Sequence, residues 1–136
     1  MADSSGAALQ TALAYHRAWT DHDFERAMTY IADDIVCQAP AGQLVGAEAF
    51  RGFMGPFVDI LTGSSLIAAF GDDERAVIFY DTDTVPVADA PGAECLTVRD
   101  GKIRHMRIIF DRLPFDAARR AAEERAEDGE ERETSQ

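Results

Sequence analysis

Two carboxylates set two residues apart in Phe79-Tyr80-Asp81-Thr82-Asp83-Thr84 are the groups of this chain whose type and spacing best suit proton transfer. The segment opens as a strand that should face a core. Residues two apart in a strand share a face, so Asp81 and Asp83 continue the phase that Phe79 begins. A buried carboxylate is costly unless it is paired, hydrogen-bonded or protonated. Either the strand runs out into water at Asp81, or the domain holds a cavity with acids in its wall. In a cavity, burial and a like-charged neighbour would raise one of the two toward the pKa of a general base. If the alternate face points inward instead, Tyr80, Thr82 and Thr84 line the cavity and the acids lie outside.

The whole chain must supply the elements that position these groups. Its 136 residues fit one domain with a real core, and at 46% hydrophobic content it is not a disordered protein. A formal net charge of -12 works against nucleic acid and anionic membranes, whose phosphates are bound by Lys and Arg. The start, Met1-Ala2-Asp3-Ser4-Ser5-Gly6, has no basic run and no long apolar segment behind it, so no signal peptide and a cytoplasmic location are expected. Cys37 and Cys95 cannot make a disulfide framework, and with the histidines they match no metal spacing. Reduced thiols, no metal and no cofactor are expected.

Helical spacing of Leu9, Ala12, Leu13, His16 and Trp19 predicts a helix from about Ala7 to Thr20. Asp23 is suited to cap a second helix with Phe24, Ala27, Met28 and Ile31 on its apolar face. Ile35 to Gln38 reads as a short strand closed by Ala39-Pro40-Ala41-Gly42. A third helix, about Ala47 to Leu61, carries a heavy stripe (Phe50, Phe53, Met54, Phe57, Ile60), includes Pro56 and should stop at Gly63. Strands follow: Ser65–Phe70 and Arg75 to about Val85 joined by Gly71-Asp72-Asp73-Glu74, then a loop over Pro86–Pro91. Glu94–Arg99 and Lys102–Phe110 are joined at Asp100-Gly101, a strong hairpin signal. Three helices followed by antiparallel strands make an α+β fold with helices on one face of a curved sheet. The chain divides into a flexible start over 1–6, a domain over 7–115, and a charged tail over 116–136 that is helical at first and then disordered. His16 and His105 are expected at the surface, His22 beside Asp21 and Asp23 reads as loop, and Asp111 should cap the turn before Pro114 and Phe115.

The order and spacing of several segments resemble a known superfamily. Tyr15 to Asp23 comes first, then Ala32-Asp33-Asp34-Ile35-Val36 and Pro40, Gly46-Ala47-Glu48-Ala49-Phe50, Asp100-Gly101-Lys102-Ile103, and Met106-Arg107-Ile108-Ile109-Phe110-Asp111. Together they look like a nuclear transport factor 2-like domain of the SnoaL-like group, whose relatives include ketosteroid isomerase, limonene epoxide hydrolase and polyketide cyclases. The resemblance implies a cone: a curved antiparallel sheet wrapped around three N-terminal helices, enclosing an apolar pocket, often in a homodimer.

Carried over from ketosteroid isomerase, the oxyanion-binding Tyr matches Tyr15, eight residues before Asp23. The second donor, a protonated acid, falls at Glu94, which shares a strand face with Leu96 and Val98. The general base of that enzyme falls at Ala39, which cannot move a proton. In limonene epoxide hydrolase an Arg-x-Asp pair matches Asp81-Thr82-Asp83 with Asp81 in place of the Arg, and the Asp of the last strand matches the apolar Ile108. The cyclase pattern is weakened at Ile108 too.

The resemblance thus implies a pocket for a small hydrophobic molecule, polyketide- or terpenoid-like, with Trp19, Phe53, Phe57, Phe79, Leu96, Met106, Ile108 and Phe110 as its walls. A metal-free isomerase, cyclase or dehydratase would use Asp81 or Asp83 as base, with Tyr15 and Glu94 donating to an oxyanion. A non-catalytic ligand-binding or dimeric interaction module and an epoxide hydrolase-like enzyme are the alternatives. A homodimer with no nucleic-acid and no membrane partner is expected.

Overall fold

A computed structural model describes residues 6–85 and 87–134 of the chain, with side chains through residue 129. Apart from Gly6, the flexible start expected over 1–6 lies outside the described residues, as does Pro86.

Helix α1 (Ala7–Thr20) buries Leu9, Ala12, Tyr15, His16 and Trp19. Its first amides lack a side-chain cap from Gly6 and are satisfied by the hairpin between the third and fourth strands. Ala8 and Leu9 donate to the Asp72 carbonyl, and Ala7 donates to Asp73 Oδ1 at 3.0 Å. Glycine is required at position 6, where a Cβ would stand 2.4 Å from the Asp72 carbonyl carbon. Helix α2 (Phe24–Met28) is capped by Asp23, whose carboxylate accepts from the Arg26 amide at 3.2 Å. Helix α3 (Ala47–Ile60) contains Pro56 and buries Phe50, Met54 and Val58.

The strands are β1 (Ile31–Ala39), β2 (Gly42–Val45), β3 (Leu61–Gly71), β4 (Arg75–Thr84), β5 (Ala90–Arg99) and β6 (Lys102–Phe110). They form one sheet in the order β2-β1-β6-β5-β4-β3, antiparallel throughout except for the β1–β6 pair, which is parallel. Asp100 and Gly101 both adopt positive φ, 54° and 73°, as a two-residue hairpin with right-handed strand twist demands. The helices pack on the inner face of this curved sheet, giving the α+β cone of nuclear transport factor 2-like proteins.

Several boundaries differ from the sequence expectation. The Ala39–Gly42 turn opens a hairpin into β2, which polar Gln43 and exposed Val45 conceal. α3 passes directly into β3 at Leu61, so Gly63 ends no helix and instead pairs with Asp83 inside the sheet. β5 starts at Ala90 rather than Glu94. Pro91 is tolerated because it lies beyond the last β5–β6 pair, Gly92 with Phe110, where no amide is needed on that side. Helix α4 (Leu113–Thr134) is continuous where a helix was expected only over the first half of the tail. Asp111 accepts from the Leu113 amide at 3.0 Å and turns the chain into α4.

Candidate functional site

Between α3, the lower ends of β4, β5 and β6, and the first turns of α4 lies a cavity of about 520 Å³. Phe53, Met54, Phe57, Ile60, Ile108 and Phe110 make it apolar, and Tyr80 and Thr82 contribute the hydroxyls of the sheet wall. Phe115 of α4 stacks edge-on against Phe110, ring centroids 5.9 Å apart, and contacts Phe57, so α4 closes one side.

The strand register decides which groups face this space. β4 alternates so that Ala76, Ile78, Tyr80, Thr82 and Thr84 are buried. The other phase carries Phe79, Asp81 and Asp83 on the outer face of the sheet. Phe79 is 45% exposed there and Asp83 is exposed, accepting from the Asp89 amide at 2.9 Å. This corrects the expected cavity placement of all three. Asp81 and Asp83 stand on the wrong side of β4 to be the base, and Phe79 is no wall of the pocket.

The inner phase of β4 meets β5 at an acid. Tyr80 lies opposite Gly92, and Glu94 is two residues further along β5 on the same face. A Cβ at Gly92 would stand 2.8 Å from the Tyr80 ring, so only glycine lets the ring lie flat over β5. Leaning across that gap, the Tyr80 hydroxyl donates to Glu94 Oε2 at 2.6 Å. Glu94 is 1% exposed, and burial raises its pKa from 4.5 to about 7 against the opposing pull of the Tyr80 hydrogen bond. Burial, then the Glu94 charge, push the Tyr80 phenol well above its usual 10, so Tyr80 is a donor and not a phenolate base.

Behind this pair the polar groups are enclosed by the core. Tyr15 is completely buried and does not reach the cavity lining. Burial foremost, then the charge of Glu94, raise its pKa well above 10. Cys37 shares the neighbourhood, its thiol pushed up to about 12 by burial and then by Glu94, which keeps it protonated and unreactive. Tyr15 Oη, His16 Nδ1, Trp19 Nε1 and Glu94 Oε1 are buried and make no hydrogen bond among the described residues. His16 is not at the surface: it is 5% exposed, stands 4.8 Å edge-on to Trp19 and 5.0 Å from Tyr80, and burial lowers its pKa to about 4. His105 is exposed and His22 sits in the turn after α1, with a positive φ of 62°.

Of the eight side chains expected as walls, Phe53, Phe57, Ile108 and Phe110 line the cavity. Trp19, Leu96 and Met106 are completely buried in the core beneath it. Sequence reasoning placed Tyr80 in the cavity only as the alternative phase of its strand and gave it no chemical role, and it did not select Arg112, Phe115, Asp116 and Arg119 of the α4 side. The i,i+4 and i,i+3 spacing of Arg112, Asp116 and Arg119 across the start of the tail helix was the available signal for the charged three. Among the described residues no cluster of His, Cys, Asp and Glu could hold a metal ion, and no helix is long and apolar enough to cross a membrane.

This cone, with its cavity between helix and sheet, defines a nuclear transport factor 2-like domain. Residues 12–106 match the SnoaL-like domain family, and the chain belongs to that family. A crystal structure of a protein from Kribbella flavida is 61% identical, with a TM-score of 0.83 over 87% of this chain and 98% of that one. TerC co-crystallised with polyporic acid shares 22% identity over 82% of this chain and 97% of TerC, with a TM-score of 0.65. A putative polyketide cyclase from Sinorhizobium meliloti shares 16% identity over 74% of this chain and 94% of its own, with a TM-score of 0.64. At those identities the last two show likeness of fold. No curated protein matches significantly.

Proposed function

We propose that this protein takes a small, largely apolar molecule into the cavity and uses the Tyr80–Glu94 pair to polarise an oxygen on it, in a metal-free isomerisation, cyclisation or dehydration. The observation that carries this reading is the 2.6 Å bond from a cavity-lining phenol to a buried carboxyl whose pKa is near 7. With Glu94 protonated, its hydroxyl donates to the Tyr80 oxygen and the phenol proton is free for a ligand carbonyl. Charge developing on that carbonyl is then stabilised through two linked donors in an apolar site. With Glu94 ionised, the phenol proton turns back to the carboxylate and the ligand loses its donor. A polyketide- or terpenoid-like substrate fits the apolar walls. The names of the fold relatives, a putative polyketide cyclase and a protein crystallised with polyporic acid, support that class.

Turnover of cyclic and poly-carbonyl apolar compounds, followed from pH 5 to 9, tests the proposal. Activity is expected to fall as pH rises through about 7, and Tyr80→Phe to lower kcat by about 10²–10³-fold. Equal turnover by Tyr80→Phe and the unaltered protein would remove the pair from the chemistry. A second reading, non-catalytic ligand binding, is favoured by Ala39 at the position of the ketosteroid isomerase base. It predicts tight binding of the same compounds with no turnover.

We further propose self-association through the outer face of the sheet, where Phe70, Val77, Phe79 and Ile109 are 43–71% exposed.

A further inference from the structure

We infer that the mouth of the cavity holds the anionic end of an amphipathic ligand between Arg112 and Arg119. The inference rests on the cavity-binding reading above and adds the charge of the ligand. The ionisable lining other than Tyr80 consists of Arg112, Asp116 and Arg119, two positive groups and one negative, in a chain whose formal net charge is -12. A cationic rim on so acidic a protein works against the field of the whole molecule. Arg119 comes from the first turns of α4 and Arg112 from the residue just before it, and Asp116 lies between them. Arg112 Nη2 is 3.7 Å from Asp116 Oδ2, and Arg119 Nη2 is 3.2 Å from Asp116 Oδ1. One carboxylate cannot use all the donors of two guanidinium groups. The side chains of Arg112 and Arg119 remain 45% and 66% exposed, with donors to spare at the opening.

The rest of the wall sets the body of the ligand. Behind the rim, Phe115, Phe110, Phe57 and Phe53 offer ring faces, and Tyr80 waits at the sheet wall. The ligand class is therefore an apolar, ring-bearing skeleton with a carboxylate or comparable oxyanion at one end. The rim arginines bind that end and set which end of the skeleton reaches Tyr80.

Two probes with one skeleton separate charge from burial: the anionic 1-anilinonaphthalene-8-sulfonate and the neutral N-phenyl-1-naphthylamine, titrated by fluorescence against the full chain. In Arg112→Gln/Arg119→Gln the sulfonate should bind about tenfold more weakly while the neutral probe is unchanged. Asp116→Asn, which frees both guanidinium groups, should tighten the sulfonate severalfold, a gain that a merely structural helix residue would not give. Arg107→Gln, an exposed arginine away from the cavity, should change neither probe. The inference is overturned if the double variant leaves sulfonate binding intact, if it weakens both probes alike, or if Arg107→Gln weakens the sulfonate equally. In those cases the cavity reading stands. Failure of the unaltered protein to bind either probe would instead overturn the cavity reading, and this inference with it.

Discussion

Glu94 and His16 oppose each other in their effect on stability. Glu94 has a folded pKa of about 7 against 4.5, so its contribution is fully present below pH 4.5 and is lost as pH rises through about 7. His16, lowered from 6.5 to about 4, contributes stability that is present above pH 6.5 and is lost as pH falls through about 4. Each effect is on the order of 3 kcal/mol. Between pH 4.5 and 6.5 the two slopes have opposite sign, and their sum is nearly level. Glu94→Gln, which can still accept from Tyr80, should therefore make stability rise with pH across that window and exceed the unaltered protein above pH 7. His16→Gln should make it fall. Urea unfolding at pH 4.5, 6.5 and 8 reads both slopes, and an unchanged slope in Glu94→Gln would show that Glu94 is not the group responsible. Of this site, the inward phase of Glu94 with Leu96 and Val98 was legible in the sequence. The inward phase of β4 was not, because both of its faces start with aromatic and aliphatic side chains. With Val77 and Phe79 outside and Ile78 and Tyr80 inside, no alternation of apolar and polar residues marks the core side.

At the scale of elements, the pairing of β4 with β5 makes the site, and Gly92 is its hinge point. Gly92→Ala would put a methyl carbon 2.8 Å from the Tyr80 ring, so the ring must tilt and its hydroxyl must leave Glu94. Overpacking of this kind costs about 1–3 kcal/mol. Because the Tyr80 hydrogen bond holds the Glu94 pKa down, its loss should drive that pKa above about 7. The infrared carboxyl band of Glu94 would then persist to higher pH in Gly92→Ala than in the unaltered protein. A band vanishing at the same pH would mean that the ring has found another way to reach the acid. Elements with local signals were legible in the sequence: the apolar face of α1, the Asp23 cap, and the turns at Asp72–Glu74 and Asp100-Gly101. Those set by partners were not. β2 exists because β1 offers an edge, and the parallel β1–β6 ladder depends on residues far apart in the chain. Pro91 reads as loop until the end of β6 is known.

For the molecule as a whole, the outer face of the sheet is the surface least suited to water. Cross-strand rows set Phe70, Val77 and Cys95 side by side, ending at Arg107 on β6, and below them Ala68, Phe79, Ala93 and Ile109. An exposed apolar row that crosses four strands suits a second copy packed sheet to sheet. The net charge of -12 opposes such pairing, since two like-charged chains must approach. Screening therefore sets its strength: association should tighten between low and physiological salt, the opposite of an interface held by ion pairs. Light scattering coupled to size exclusion should give the mass of two chains at high micromolar concentration and 0.15 M salt. Phe79→Asp or Ile109→Asp should shift it to one chain, a loss of about 2 kcal/mol or more for a central apolar anchor. Neither residue lines the cavity, so both variants should keep the ligand affinity of the unaltered protein. A protein that runs as a single chain at every salt concentration would leave the exposed patch to another partner and sink the self-association proposal.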